Sequence, residues 1–290
     1  MFVVSGSTGR VGSNVLAELL KLGQPVRALV RSEKARQYWS SHGAEVAKVD
    51  LLDTTALTRA LKGATGFFAL LPFHFDVDDP DQYADAVIAS VRTAIESANV
   101  QHVVMLSSGG ADLAHSTGPI TGLHRMEQAL LSVAPRLTAL RPGHFQEKFQ
   151  DVLPAVLNEG VFPVFGAADT EKPMVATKDI GVHAARCLMG STKGSGPIDI
   201  IGPSYTEREV AEALSHELHK DVVVAEIPEQ EWEAALVQSG FSHSVAGSIA
   251  EMYRADDNGL LAPRASSSFT ASTPLAETVH ATLNKWSAGR

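Results

Sequence analysis

The sequence predicts an α/β fold: a doubly wound parallel sheet followed by a smaller α+β lobe. Three observations carry this. Six short apolar runs alternate with longer helical patterns up to residue 142. The first run opens directly into a loop with glycines at positions 6, 9 and 12. Beyond residue 142 the alternation loosens into mixed, less regular segments. Strand–helix alternation repeated this often means a parallel sheet wrapped by helices on both faces.

The six runs are FVVSG, PVRALV, AEVAKVD, TGFFALL, QHVVMLS and RLTALRP. They are short and rich in Val, Leu and Phe, as strands buried on both faces should be. Between them lie VGSNVLAELLKLG, SEKARQYWSSHG, TTALTRALKG, DQYADAVIASVRTAIESA and GLHRMEQALLSVA, each with apolar residues at helical spacing. This gives a nucleotide-binding unit over 1–142 and a smaller lobe over 143–290, with segments of the second interleaving with the sheet of the first. In the second half, KDIGVHAARCLMG reads as a helix with Gly190 near its end, and PIDIIGP and DVVVAEIP read as strands. TEREVAEALSHEL opens with a capping box, Thr206 at N-cap and Glu209 at N3. Thr273 and Pro274 suit N-cap and N1 of a last helix, PLAETVHATLNKW. The smaller lobe is expected over the carboxyl ends of the strands, where such folds enclose a substrate.

Composition narrows the function. The formal net charge is −9, and no basic run with interleaved aromatics is present. Direct contact with nucleic acid is not expected, because neutralising phosphates needs a basic face. The single cysteine, Cys187, excludes an internal disulfide and a cysteine-based metal site, and no metal site is expected. Cys187 falls in an apolar helical pattern and reads as a core thiol. Met1 to Val4 already read as a strand with no basic leader, and no apolar run reaches the roughly 20 residues of a membrane span, so a soluble cytoplasmic protein is expected.

The glycine loop has the spacing Gly-x-x-Gly-x-x-Gly. Gly6 suits the tight turn out of the strand, Gly9 lets backbone approach a pyrophosphate, and Gly12 lets the first helix pack close to the strand. The phosphates of a dinucleotide would then sit at the positive N-terminal end of that helix. A glycine triplet alone is weak evidence. Here it follows a strand, precedes an amphipathic helix and opens an alternating pattern, which is the Rossmann-type context.

The end of the second strand selects the cofactor. A site that prefers NAD has an Asp or Glu about 20 residues past the glycines, holding the ribose 2′-OH. This chain has Arg31 there, and Lys34 three residues on. A carboxylate would repel a 2′-phosphate, whereas a guanidinium can grip it with paired hydrogen bonds. Arg10, inside the loop, could stack on adenine or add charge from the other side. The alternatives are a solvated Arg31 and a ribose held by Glu33. The charge argument favours NADP(H), with NAD(H) second.

In a doubly wound sheet the carboxyl ends of the strands converge on one crevice. The expected cofactor contacts are therefore Gly6, Ser7, Thr8, Gly9, Arg10 and Val11 after the first strand, and Arg31 and Lys34 after the second. Asp50 and Leu51 follow the third strand and Leu71, Pro72 and Phe73 the fourth. Ser107 and Ser108 follow the fifth, and Pro142, Gly143 and His144 the sixth.

The acid–base pair of the short-chain dehydrogenases, Tyr-x-x-x-Lys, is missing. Four residues after Tyr38 comes His42, after Tyr83 Val87, after Tyr205 Glu209 and after Tyr253 Asp257. No other tyrosine exists to test. Alcohol or ketone chemistry by that pair, in which the Lys lowers the pKa of the Tyr, is excluded.

GSTGRVG, VRALVRS, VDLLD, SSGGAD, HRMEQAL, LRPGHFQEKF, KDIGVHAA and IIGPSYTEREVAEAL, in that order, resemble the NmrA-like atypical short-chain dehydrogenase/reductases over nearly the whole chain. The resemblance implies kinship with quinone oxidoreductases, triphenylmethane reductases, isoflavone-reductase-like enzymes and non-catalytic cofactor-sensing regulators. Many members of that family carry a Lys shortly before the Glu that matches Glu127; this chain has Leu123 and His124 there. The departure fits the branch resembling quinone and dye reductases.

A quinone or conjugated cation accepts hydride and spreads the charge over its own π-system. The protein then needs mainly to hold donor and acceptor face to face in a dry pocket. Candidate walls are Phe73, Phe75, His144, Phe145 and Phe149; candidate proton donors are His74, His124 and His144. Phe149 reads first as core, His124 equally as a half-exposed helix residue, and His115 as solvated. Two functions follow: an NADPH-dependent oxidoreductase acting on a small conjugated acceptor, or an NAD(P)-sensing regulator that reports to a protein partner. Either allows a homodimer.

Overall fold

The computed structural model describes residues 1–77, 79–191 and 195–288. The first half is β1 (Phe2–Val4), α1 (Gly12–Lys21), β2 (Val26–Val30), α2 (Glu33–Ser41), β3 (Glu45–Lys48), α3 (Thr54–Leu61), β4 (Gly66–Leu70), α4 (Pro80–Ala98), β5 (His102–Leu106), α5 (Ile120–Leu131) and β6 (Arg136–Pro142). Local chemistry starts the helices where the sequence pattern does. Ser32, Asp53 and Asp79 each accept a backbone N–H three residues on, capping α2, α3 and α4. Pro80 supplies the fixed φ of the first α4 turn, and α4 ends on Asn99 in the left-handed region at φ 54°.

The second half is β7 (His144–Phe145), a 3₁₀ stretch (Gln146–Val152), α6 (Leu153–Glu159), β8 (Val161–Phe165), β9 (Lys172–Val175), α7 (Thr177–Leu188), β10 (Gly196–Ile201), β11 (Ser204–Tyr205), α8 (Glu207–Leu218), β12 (Val223–Ile227), α9 (Trp232–Gln238), α10 (His243–Asp257), β13 (Ser268–Thr270) and α11 (Leu275–Ala288). The capping box at α8 is present in full. The last helix starts later than expected. It begins at Leu275, with Thr278 N–H donating to Pro274 O, and Thr273 Oγ1 donates to Asp179 Oδ1 of α7.

Eight parallel strands form the main sheet in the order β3-β2-β1-β4-β5-β6-β10-β13. The strand order reverses between β1 and β4, with Val4 paired to Ala28 on one side and Phe68 on the other. Two small sheets, β11-β9-β7 and β12-β8, belong to the second half.

Both faces of the main sheet are covered, as the near-continuous apolar strands require. Phe67 and Phe68 are adjacent in β4 and both fully buried, yet they enter different cores. Strand side chains alternate, so Phe67 meets α3, α4 and α5 while Phe68 meets α1, α2 and α7. Gly181 lets α7 lie tightly on α1: a Cβ there would sit 2.5 Å from that of Asn14. A third core joins Phe149, Val156 and Leu214 to Leu275 and Leu283 of α11; a fourth centres on Trp232 between α9 and α10.

The segment between β12 and α11 contains α9, α10 and β13, for which the sequence reading names no element. β13 is only three residues long and β-edge polar, so period-two alternation has no room to show.

Candidate functional site

The glycine loop lies at the point where the strand order reverses. Gly6 has φ 65°, and a Cβ on it would lie 2.2 Å from Leu70 Cδ2 at the end of β4. Gly9 N–H donates to Gly6 O at 2.9 Å, closing the turn. A Cβ on Gly12 would lie 2.3 Å from Gly6 O, so only glycine allows α1 to start this close to β1. The start of α1 has no side-chain cap and no acidic residue in its first turn. Of the leading N–H groups, Ser13 N donates to Gly9 O at 3.2 Å, while the positive end of the helix dipole faces the loop, and a cradle of this shape can hold a pyrophosphate. The loop is fixed from behind. Ser7 Oγ donates to Leu29 O at 2.6 Å, and the buried Trp39 indole donates to Ser7 O at 3.0 Å.

At the end of β2, Arg31 and Lys34 are exposed, and among the described residues neither has an ion-pair partner. Glu33, the alternative ribose acid, instead pairs with Arg36 at 2.8 Å. Tyr83 senses both sides of this corner: burial first and Asp50 second raise its phenol above the ordinary value, while Arg31 opposes them. Beside the loop is a cavity of about 450 Å³ whose walls include Thr8, Ser32, Lys34, Tyr38 and Trp39. Arg10 turns away from it. Its Nε donates to Gln150 Oε1 at 2.7 Å and its Nη2 meets Asp151 Oδ1 at 2.5 Å, tying the loop to the 3₁₀ stretch of the second half.

The remaining strand ends divide. Asp50 is exposed and Leu51 is half-buried against the sheet core, while Leu71 is core. Phe73 is exposed and stacks on Phe75 at 6.0 Å, and His74 meets Tyr83 edge-on at 5.2 Å. Ser107 is buried, and its Oγ donates to Glu127 Oε1 at 2.5 Å. Glu127 in turn receives two hydrogen bonds from Arg141. Burial opposes the Arg141 charge, but Glu127, then Asp112 and Asp199, hold the guanidinium above its ordinary value. The two glycines of SSGG are explained by a distant segment: a Cβ on Gly109 would lie 2.3 Å from Leu261 O, and one on Gly110 would lie 2.5 Å from Leu261 Cδ2. Arg264 holds that segment by ion-pairing with Asp112 at 3.3 Å.

Of the three histidines, two have a ring nitrogen committed. His124 Nδ1–H donates to Ala111 O at 2.9 Å, leaving Nε2 as an acceptor in the neutral ring. His144 Nε2–H donates to Asp256 Oδ1 at 3.1 Å. Asp256 also pairs with Lys172. Burial works against the Asp256 charge, but His144 and Lys172 together hold the carboxyl well below the usual range. Phe149 is core, Phe145 is half-buried against the sheet, and His115 is exposed.

The sequence reading missed Trp39, Asp256, Lys172, Arg141 and Leu261. Their partners lie 14 to 152 residues away, so no local spacing announces them. The one available signal was Trp39, a lone tryptophan on an otherwise polar helix.

A doubly wound parallel sheet with strand order 3-2-1-4-5-6 and a glycine-cradled helix start at its reversal point defines a Rossmann-like α/β protein. The chain belongs to the NmrA-like family, whose model matches residues 1–263. It is 26% identical over 254 residues to the NAD(P)H azoreductase of Xenophilus azovorans, spanning 87% of this chain and 86% of that one. It superposes on an NADPH-dependent quinone oxidoreductase from Escherichia coli, complexed with NADPH, with a TM-score of 0.74 at 26% identity, covering 98% of this chain and 100% of that chain. Citrobacter sp. triphenylmethane reductase complexed with NADP(H) shares the fold, with a TM-score of 0.77 at 24% identity over 96% of this chain and 99% of that chain. No helix among the described residues is long and apolar enough to cross a membrane.

Proposed function

We propose that this protein is an oxidoreductase that uses NADPH to reduce a quinone-like or other conjugated small molecule. The observation that carries the proposal is the pairing of a well-formed dinucleotide cradle with a strand end that offers no acid–base pair. Ser107, at the end of β5, already donates to Glu127, which is saturated by Arg141. A simple ketone needs a proton delivered as its oxygen gains charge; a conjugated acceptor spreads the hydride's charge over its own π-system and can take its proton from solvent afterwards. Azo and quinone relatives are consistent with this division.

In this reading Gly6, Gly9 and Gly12 admit the pyrophosphate, and Arg31 with Lys34 favour the 2′-phosphate by charge. The reduced nicotinamide, when bound, supplies the hydride. His124 and His144 are each oriented through one donating ring nitrogen, and with the ring protonated the second N–H donates a hydrogen bond to the acceptor's oxygen. Aromatic rings on the Leu71–Phe75 side, Phe73 and Phe75, offer a face on which a flat acceptor can stack.

The test is loss of NADPH absorbance in the presence of small quinones and azo dyes. Acceptor-dependent turnover supports the reading. No turnover across the panel, with tight NADPH binding intact, would replace it with a cofactor-sensing role.

A further inference from the structure

We infer that Lys285, on the C-terminal helix, forms the outer wall of the 2′-phosphate site and helps the protein distinguish NADPH from NADH. The inference rests on the NADP(H) reading above. Its basis is the cavity beside the glycine loop, which has room for more than a bare phosphate group. Thr8 of the loop, Ser13 and Asn14 of α1, and Ser32 and Lys34 after β2 line it, and Lys285 reaches it from α11.

The lining chemistry points to an anion. Two lysines and several hydroxyl or amide groups face the cavity, and no carboxylate does, although acidic residues outnumber basic ones in the chain. Among the described residues neither Lys34 nor Lys285 has an ion-pair or hydrogen-bond partner. Most other lysines and arginines near the second half are engaged, such as Lys172 with Asp256 and Lys178 with Glu277. Two unpaired ammonium groups facing one polar cavity repel each other until a dianion lies between them. The position is also right. Thr8 belongs to the loop that cradles the pyrophosphate, and Ser32 and Lys34 follow the strand end that meets the adenosine ribose. Arg31 at the same strand end lies outside the cavity lining. Arg31 and the lysine pair would therefore approach a 2′-phosphate from different directions.

What brings α11 here is its packing. Thr278 Oγ1 donates to Gln146 Oε1 at 2.5 Å, and Leu283 shares a core with Phe149 of the 3₁₀ stretch that receives Arg10 and with Leu153 of α6. The helix is thereby tied to the same segment as the glycine loop.

The experiment measures binding, not turnover. Full-length wild type, Lys285→Ala, Lys285→Glu and Lys285→Arg are titrated calorimetrically with NADPH, NADH, 2′,5′-ADP and 5′-ADP. A charge-assisted contact to phosphate predicts that Lys285→Ala weakens NADPH and 2′,5′-ADP about tenfold, with Lys285→Glu losing more. NADH and 5′-ADP should bind all variants alike, and Lys285→Arg should keep the wild-type preference. Equal weakening of all four ligands, or none, overturns the inference. So does a wild type that binds NADPH and NADH equally. Preference for 2′-phosphate that depends on Lys285, together with absent quinone turnover, would sink the oxidoreductase reading and leave this inference standing.

Discussion

Arg141 grips Glu127 through two hydrogen bonds, Nε to Oε1 at 2.9 Å and Nη2 to Oε2 at 2.5 Å, with both side chains buried. Removing one partner strands the other charge in a dry site. Glu127→Ala is expected to lower stability by about 3–5 kcal/mol in urea denaturation. The double variant Glu127→Leu/Arg141→Met removes both charges and should cost far less than the two single changes together. Additive losses would show that the pair is not coupled.

Arg31→Ala should weaken NADPH binding much more than NADH binding. The guanidinium is exposed and without an ion-pair partner among the described residues, so its removal leaves the fold intact. Fluorescence titration with both cofactors checks this. Equal weakening of the two, or no change in either, would free Arg31 from the 2′-phosphate.

The alternation of β1 to β6 with their helices was legible because each buried strand must be apolar on both faces and each helix on one. The glycine loop was legible because backbone conformation and close approach restrict the residue type directly, as at Gly6 and Gly12. The pairing of His144 with Asp256 was not: 112 residues separate them, and nothing in either neighbourhood selects the other. In sequence, SSGG is a strand end offering Ser107 and Ser108 to a cofactor; that its two glycines answer to Leu261, about 150 residues on, has no local signal. A site assembled from tertiary contacts leaves its individual members looking ordinary.

His102 supplies a pH prediction. It is buried at the start of β5, where Arg136 Nη2 donates to its Nδ1 at 2.5 Å and its Nε2 faces Thr138 Oγ1 at 3.3 Å. Burial, and then the Arg136 charge, push its pKa down to about 4, against a backbone hydrogen bond involving Leu188. The folded ring stays neutral while the unfolded one gains a proton below pH 6.5. The contribution is therefore complete above that pH and is lost progressively as pH falls toward 4, by about 3 kcal/mol. Urea midpoints of wild type and His102→Asn across this range should converge in acid. Parallel curves would contradict the assignment.

Two glycine substitutions should act in opposite directions. Gly12→Ala places a Cβ 2.3 Å from Gly6 O, with no flexible side chain to move aside. It is expected to cost about 1–3 kcal/mol by forcing α1 away from β1, and to abolish dinucleotide binding. Gly247 lies inside α10 with open space around its Cβ position. Gly247→Ala should stabilise by about 0.5–1 kcal/mol through helix propensity alone. Thermal unfolding with and without NADPH separates the two effects.

The sheet ends on two strands that arrive late in the chain. β10 lies along β6 from Thr138 to Pro142, and β13 lies along β10. A fragment cut after residue 142 would carry the entire glycine loop yet leave β6, buried in the whole protein, as a bare border, inviting another chain to pair there. The half that carries the glycine loop is thus not a transplantable module. Any chimera that borrows it must bring those late strands, and with them the helices that reach back to the loop.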